Sequence, residues 1–432
     1  MAPQSPVVDC FFSQETMPVD VVLRRVLLIT LLVLPQTHWM SATWRLATRA
    51  ERALRLLIRL GTLAATAVMV AVLYDAISTR SIPGMISRVI AAPVQLWIFS
   101  STFAFYVTML LRGIAWCFNR SSAVLHKRAH TQAHNESRRT VLRQAASIVG
   151  GAPFAAALYG YAHERFQFVV ERVDIKLANL PPALDGLRIA QLSDIHAGDL
   201  MPLSEVRRAV AMTNEMGAHL AVITGDFLTR AGDPLDECIR ELSRLRAPLG
   251  VWGCNGNHEI YADAEDEAEG LFAAGGMHLL RHAAIPIEWN GARLNLLGID
   301  FQRNLPTDGS VMPTLQGAES LVRRDMLNIL LSHNPDTFPS AAAAGVDLSL
   351  AGHTHGGQIN VEFVGTRVNP ARVLTRFISG LYRLPLRAEP QQQACLYVNR
   401  GLGTLGLPAR IGAKPEITLL TIRGGYPAKL TL

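Results

Sequence analysis

The stretch "LSLAGHTHGGQ", Leu348 to Gln358, runs apolar up to a glycine and then sets His353 and His355 one residue apart between glycines. An imidazole offers a lone pair suited to a divalent cation. Two histidines separated by one residue, at the end of an extended strand, turn both rings toward one region where the chain bends. The flanking glycines let the backbone approach closely without a side-chain clash. Two nearby metals could each take one ring. Similar groups close four other short apolar runs: Asp194 and His196 in "SDIH", Asp226 in "TGDF", Asn257, His258 and Glu259 in "GNHE", and His333 in "SHNP". A lone D-x-H or a lone strand-end histidine is common in purely structural roles. Here five of the 13 histidines, together with the key acids, fall at successive strand ends, and all of these groups are oxygen or imidazole donors.

The elements that must position these donors are legible from about Phe166 onward. The runs LRIAQLSD, HLAVITGD, LGVWGCNGN, LNILLSHNP and VDLSLAGHT are short, rich in Val, Ile and Leu, and end in turn residues, which is the pattern of buried strands. Helix-like segments, Leu203 to Met216 and Pro234 to Leu245, lie between some of them. The expectation is an α/β fold with a layered sheet, whose ligands gather outside the carboxyl ends of the strands. The five cysteines are far apart with no C-x-x-C pair, which argues against a disulfide scaffold or a thiolate zinc site. Cys254, close to the "GNHE" motif, reads as a packing residue.

The order D-x-H, GD, GNH[DE], H and GHxH resembles that of the calcineurin-like metallophosphoesterases over about Leu187 to Ile422. The tail "YVNRGLGTLGLPARIGAKPEITLLTI", with "SHNPD", "AGHTHGGQ" and "SGLYR", is similar to the membrane-anchored or exported branch of that superfamily, which includes transmembrane proteins carrying a phosphoesterase domain. No ligand position departs from the pattern. The resemblance implies a layered α/β/β/α sandwich, a metal-dependent phosphoric ester hydrolase of phosphodiesterase type, and two divalent ions. It implies that Asp194, His196 and His355 hold one ion, that Asn257, His333 and His353 hold the other, and that Asp226 bridges both. His258 would stand beside the substrate phosphate as the catalytic residue, and Glu259 would orient a ligand or His258 from behind.

The residue types suit that chemistry on their own terms. A phosphate ester repels an external nucleophile, and a pair of cations about 3.5–4 Å apart clamps its oxygens and supplies hydroxide at neutral pH. Neutral imidazole and an amide oxygen fill coordination positions without cancelling the positive charge. A protonated His258 could steady developing charge or protonate the leaving oxygen. Mixed N and O donors without thiolate suit Mn, Fe or Zn.

The first part of the chain is different in kind. Residues 1–165 carry 17 Lys+Arg against 7 Asp+Glu, and residues 166–432 carry 24 against 28, so the net charge of +6 belongs to the first part. A mildly acidic working domain argues against nucleic acid as a partner. Val89 to Leu111 has no charge and is long enough to span a bilayer. Leu60 to Ile77 is a second candidate, Val26 to Trp44 a third that is weakened by Pro35, Gln36 and His38, and Ala145 to Ala162 an ambiguous fourth. The expectation is residues 1–165 as a membrane region of three to four helices and 166–432 as the phosphoesterase domain. Arg45, Arg49, Arg52, Arg55 and Arg59 follow the first span, and Arg112, Arg120, Lys127, Arg128, Arg138, Arg139 and Arg143 follow the third. Both loops belong on the cytoplasmic side. Arg138 and Arg139 ahead of a weakly apolar segment resemble a displaced twin-arginine export signal, or else form the positive flank of a membrane helix. Either way a crossing at Ala145 to Ala162 puts the domain outside the cytoplasm of a multi-pass cell (inner) membrane protein.

Between the last metal motif and the tail, Arg367, Arg372, Arg376, Arg383 and Arg387 alternate with Val373, Leu374, Phe377, Ile378, Leu381 and Tyr382. That mixture fits either an anionic lipid interface or an ordinary helix with a solvated arginine face. With the membrane tether, it favours a phospholipid- or glycolipid-linked phosphodiester or pyrophosphate as substrate, with the lipid bilayer as a partner. The alternative of a different class is a membrane sensor or interaction protein that uses the phosphoesterase domain to bind ligand. It predicts a degenerate site, whereas every ligand position is filled.

Overall fold

The computed structural model describes residues 19–77, 85–125, 135–178, 180–301, 315, 317–363, 366–373, 375–386 and 392–425. The chain divides into two compact units, residues 1–73 with 97–154, and residues 74–96 with 155–432.

Four long helices come first: α1 (Val19–Ala47), α2 (Arg52–Ile77), α3 (Met85–Leu125) and α4 (Asn135–Ala162). Among the described residues, Arg52–Val72 and Ile90–Cys117 are long and apolar enough to cross a bilayer. The segments Val26 to Trp44 and Ala145 to Ala162 are helical as well, and each includes residues whose side chains lie outside those described. Within the first unit, Gln36 of α1 is buried and donates to Ser101 Oγ of α3 at 2.9 Å, while Trp39 Nε1 donates to the Ser101 carbonyl at 3.1 Å. The polar residue that interrupts this apolar run is therefore a helix-to-helix contact, a use of Gln that apolar helices tolerate. Arg120, Lys127 and Arg128 fall in or beside segments whose side chains are not described, as do Arg138, Arg139 and Arg143.

The second unit is a two-sheet α/β sandwich. One six-stranded sheet has the order β1-β14-β2-β3-β4-β5, where the strands are β1 (Val169–Leu177), β2 (Arg188–Leu192), β3 (Leu220–Thr224), β4 (Val251–Cys254), β5 (His278–Leu279) and β14 (Glu416–Gly424). The other has the order β12-β13-β9-β8-β7-β6, from β6 (Ala283–Trp289), β7 (Ala292–Ile299), β8 (Leu327–Ser332), β9 (Leu348–Ala351), β12 (Gly380–Pro385) and β13 (Gln393–Val398). A small hairpin joins β10 (Val361–Phe363) to β11 (Thr366–Val368).

Alternation along the strands explains the layers. Leu220 and Val222 of β3 enter the core between the sheets with Leu296, Ile329 and Leu350, while Ala221 and Ile223 face outward against the helices. Those helices are α5 (Leu203–Glu215), α6 (Leu235–Leu242) and α8 (Glu265–Ala274); a short α7 (Asn257–Tyr261) follows β4, and α9 (Phe338–Ala344) covers the second sheet. Strands covered on both faces must be apolar throughout, which is why they read as continuous runs rather than alternating ones. Cys254 is buried in the inter-sheet core, a packing position.

Parallel pairing of β2, β3 and β4 puts their carboxyl ends on one edge of the first sheet, and parallel pairing of β8, β9 and β13 does the same in the second. The donor-bearing turns all leave from these ends.

The segment from Thr366 to Arg387 differs from the helical expectation. It forms β11, a short 3-10 turn at Pro370–Val373 and β12. Phe377 and Ile378 are buried, and the Tyr382 hydroxyl accepts from the Ile378 N–H at 2.9 Å. Among the described residues, Phe377 and Ile378 thus serve a loop-and-strand packing, while Val368 and Val373 are exposed. Leu374 and Arg387 lie outside the described residues.

Candidate metal centre

The five turns converge. Asp226, at the end of β3, lies between two histidines: its Oδ2 is 3.0 Å from His333 Nε2 and 3.4 Å from His196 Nε2. Asp194 Oδ1 is 3.3 Å from His355 Nε2, and His355 Nε2 is 3.2 Å from His196 Nε2. His353 Nδ1 stands 3.3 Å from His333 Nε2. Among the described residues, three overlapping trios have donor atoms close enough to share an ion: Asp194, His196 and His355; His196, Asp226 and His258; and Asp226, His333 and His353. All seven of these side chains, and Asn257 with them, are thus drawn to one edge of the sandwich, although His196 and His355 are 159 positions apart.

The backbone is bent to achieve this. Asp194, His196, Asp226, His353 and His355 all have positive φ, between 49° and 73°. This left-handed conformation is uncommon for any residue with a Cβ, and clusters of it mark sites where the surroundings impose it. Glycine makes room at the tightest point: a Cβ on Gly225 would lie 2.5 Å from Gly256 N and 2.9 Å from His333 Nδ1.

Hydrogen bonds fix which ring nitrogen faces the cluster. His333 Nδ1 donates to the Thr224 carbonyl at 2.6 Å, leaving Nε2 aimed at Asp226. His258 Nδ1 donates to the Thr229 carbonyl at 2.5 Å, so its Nε2 is free and has no hydrogen-bond partner. Glu259 is wholly buried and accepts the backbone N–H groups of Asp226 (2.8 Å), Phe227 (2.7 Å), Leu228 (3.3 Å) and Gly256 (2.8 Å). It therefore orients the Asp226 turn, and not the ring of His258.

The electrostatics hold three of the rings in their ligand-competent neutral form. Burial lowers the His196 pKa to about 3 and that of His353 to about 4, and it takes His355 well below the usual range, so all three rings are neutral bases. Burial lifts Asp194 to about 6 and Glu259 to about 7. In the Asp226–His333 pair burial works against both charges, but their mutual attraction outweighs it; Asp226 is held well below its usual value and His333 rises to about 10.

Whether these residues fit a divalent ion is answered by the donors themselves. The neutral His196 and His355 rings face each other with their Nε2 atoms 3.2 Å apart, an arrangement that a shared cation relieves. Asn257 Oδ1 is buried with no hydrogen-bond partner, a costly state for an amide oxygen unless a cation takes it. The donor set is nitrogen and oxygen without thiolate, as Mn, Fe or Zn accept.

Other contributors are not ligand types, although Arg410 lies in the family-like tail. Thr229 Oγ1 contacts His196 Nδ1 at 3.2 Å. Arg410 is fully buried, with burial lowering its pKa to about 9, and it bonds the His355 carbonyl at 3.3 Å. Phe301 lies at the rim with its ring centroid 5.6 Å from that of His353 and 6.3 Å from that of Tyr261. None of these could be found by looking for ligand types, because their roles depend on neighbours distant in sequence.

A two-sheet α/β sandwich with Asp, His and Asn donors gathered at its strand ends defines a metal-dependent hydrolase class. The calcineurin-like phosphoesterase family model matches residues 187–357. The uncharacterized metallophosphoesterase YkuE of Bacillus subtilis is 31% identical over 284 residues, which cover 64% of this chain and 94% of YkuE. An uncharacterized metallophosphoesterase of Aquifex aeolicus is 30% identical over 273 residues, covering 63% and 98%. A transmembrane protein with metallophosphoesterase domain from Danio rerio is 29% identical over 336 residues, covering 75% and 72%. The chain belongs to the calcineurin-like phosphoesterase family, whose members are metal-dependent phosphoric ester hydrolases.

Proposed function

We propose that this protein is a membrane-anchored, dinuclear phosphoesterase acting on a phosphodiester or pyrophosphate that carries an apolar, lipid-type substituent. The carrying observation is that Asp226 stands in hydrogen-bond range of both His196 and His333, as a carboxylate shared by two ions must. Asp194, His196 and His355 would hold one ion, and Asn257, His333 and His353 the other, with Mn, Fe or Zn compatible with both sets. When bound, the ions supply the positive charge that draws in a phosphoester and lowers the pKa of water.

The chain's own residues do the rest. Glu259 holds the Asp226 turn, and the Asp226 carboxylate accepts the His258 N–H at 3.0 Å, which fixes His258 over the same carboxylate. With Nδ1 committed to Thr229, His258 presents Nε2 for a substrate oxygen, where it can hold or deliver a proton. Tyr261, 63% exposed, and Phe301 line the adjoining rim and favour an apolar substituent over a bare phosphate. Asp300 keeps Phe301 in place by bonding Asn255 Nδ2 at 2.9 Å and Arg281 Nε at 2.8 Å.

In this reading residues 1–165 anchor the domain of residues 166–432 in a multi-pass cell membrane, with the domain outside the cytoplasm and the bilayer as its partner. The two long apolar helices and the names of the transmembrane relatives support the anchoring. The test is turnover by the detergent-solubilised full chain of a panel of aryl phosphodiesters, aryl phosphomonoesters and lipid phosphodiesters, with Mn²⁺, Fe²⁺ or Zn²⁺ restored after chelation. Diesters should be cleaved faster than monoesters, and Phe301→Ser should raise KM most for the apolar substrates. Equal KM changes across the panel would remove the rim from the specificity.

A further inference from the structure

We propose that Arg410 is a positioning residue for the Asp194, His196 and His355 side of the centre, and that the end of α4 holds Arg410 in its place. The proposal rests on reading those three side chains as ligands of one ion.

The guanidinium of Arg410 is fully buried and spends its donors on backbone carbonyls. Nε donates to Gly403 O at 3.1 Å; Nη1 donates to His355 O at 3.3 Å and Ala413 O at 3.0 Å; Nη2 donates to Arg400 O at 2.8 Å and Gly401 O at 3.1 Å. Nη2 also lies 3.5 Å from His355 Nδ1, the ring nitrogen facing away from the cluster. Apart from Ala413 O, on the strip that carries Arg410, these carbonyls come from two different segments. One carries His355 itself. The other, Arg400 to Gly403, leaves the end of β13 and cradles the Asp194 turn: Leu402 N–H donates to Ser193 O at 3.0 Å, and Gly403 N–H to Asp194 O at 2.7 Å. A single planar fork thus ties the turn that bears His355 to the one that backs Asp194. The 3.3 Å separation of Asp194 Oδ1 and His355 Nε2 depends on that tie. Burying a guanidinium is costly without such a full set of acceptors, and an ammonium could not satisfy them with the same planar geometry.

The strip that carries Arg410 is itself clamped. On one side Ile411 N–H donates to Gln358 O, and Asn360 N–H to Ile411 O, both at 2.8 Å, just beyond the glycines that follow His355. On the other side is the last turn of α4, which belongs to the same compact unit as the site. Gly160 O accepts from Arg410 N–H at 3.5 Å, and a Cβ on Gly160 would collide with the Arg410 carbonyl. Buried Glu164, just past the helix, accepts the Gly412 N–H at 2.8 Å. A helix that contributes no ligand therefore reaches the metal centre through one glycine, one glutamate and one arginine.

The test counts bound Mn²⁺ per chain by equilibrium dialysis of the chelator-stripped full chain in detergent, alongside the melting transition of the metal-free protein. Arg410→Gln should weaken one of the two ions by about 10–100-fold, the usual cost of losing a residue that orients a ligand, and leave the other within about two-fold. Arg410→Lys should fall between Gln and the parent, and Gly160→Val should weaken the same ion. His355→Ala identifies that ion by losing it. If His355→Ala loses one ion while Arg410→Gln binds both with parental affinity, Arg410 has no such role although the ligand reading stands. If Arg410→Gln weakens both ions in proportion and abolishes the cooperative melt, its role is general support and the proposal is wrong. Should Arg410→Gln not fold, Arg410→Lys and Gly160→Val decide by the same criterion. Retention of both ions by His355→Ala would overturn the ligand reading and the proposal with it.

Discussion

At a pH above about 7, the raised value of Glu259, Glu259→Gln removes one negative charge and no volume, so its effect isolates what the carboxylate does for the Asp226 turn. Oε1 accepts from Phe227 (2.7 Å) and Leu228 (3.3 Å), and Oε2 from Asp226 and Gly256 (2.8 Å each). A glutamine keeps one oxygen. Its amide NH₂ then faces two N–H donors, and both of the 2.8 Å bonds are lost. Bonds to a charged acceptor contribute about 1.5–3 kcal/mol each, so the turn should be less stable by about 3–6 kcal/mol. At 1.4 kcal/mol per decade, the amide protons of Asp226 and Gly256 should exchange with solvent about 10²–10⁴ times faster. Asp226 holds a left-handed φ of 57° that the lost bond no longer supports, so metal affinity should fall as well. The assay is hydrogen exchange on peptides spanning residues 224–230 and 254–260 of the full chain, paired with metal content. Unchanged exchange in both peptides at full metal occupancy would refute the claim that Glu259 orients this turn.

Further expectations follow from the same geometry. Asp226→Asn removes the charge shared by His196 and His333, so metal content and hydrolysis should fall together; normal turnover with full occupancy would disprove a bridging role. His258→Ala should keep the metals and lose about 10²–10⁴ in turnover, the worth of a positioned acid or charge stabiliser, whereas loss of an ion would make His258 a ligand. A reporter active only outside the cytoplasm should be on when fused after Leu432 and off near Ala129; the reverse would put the site in the cytoplasm and make soluble nucleotides the better substrates.

The sequence by itself determined the strands and the donors. Short runs of Val, Ile and Leu ending in turn residues are strands because a chain covered on both faces must be apolar at every position, and that demand is visible locally. The donors are legible for a related reason. A metal accepts few residue types, and "SDIH", "TGDF", "GNHE", "SHNP" and "GHTH" display them at the carboxyl ends of strands, where α/β folds gather their ligands.

Only the tertiary structure decided how those donors meet and what holds them. Asp226 faces both His196 and His333 because the carboxyl ends of β2, β3 and β8 lie side by side, and no local pattern encodes a neighbour 107 positions away. The left-handed backbone at five donor residues is likewise imposed from outside, since Asp and His have no strong preference for it. Glu259 could be suspected of serving His258, but its four backbone acceptances assign it to the Asp226 turn. Of the two readings offered for the arginines and apolar residues after Thr366, the ordinary helix gives way to strands and a short turn, with Phe377 and Ile378 buried, because composition does not say which neighbours will cover a side chain. Arg410 is the extreme case. In sequence it is one arginine in a tail, and its importance exists only where the His355 turn, the β13 end and the last turn of α4 close around it and leave the guanidinium no water to bond.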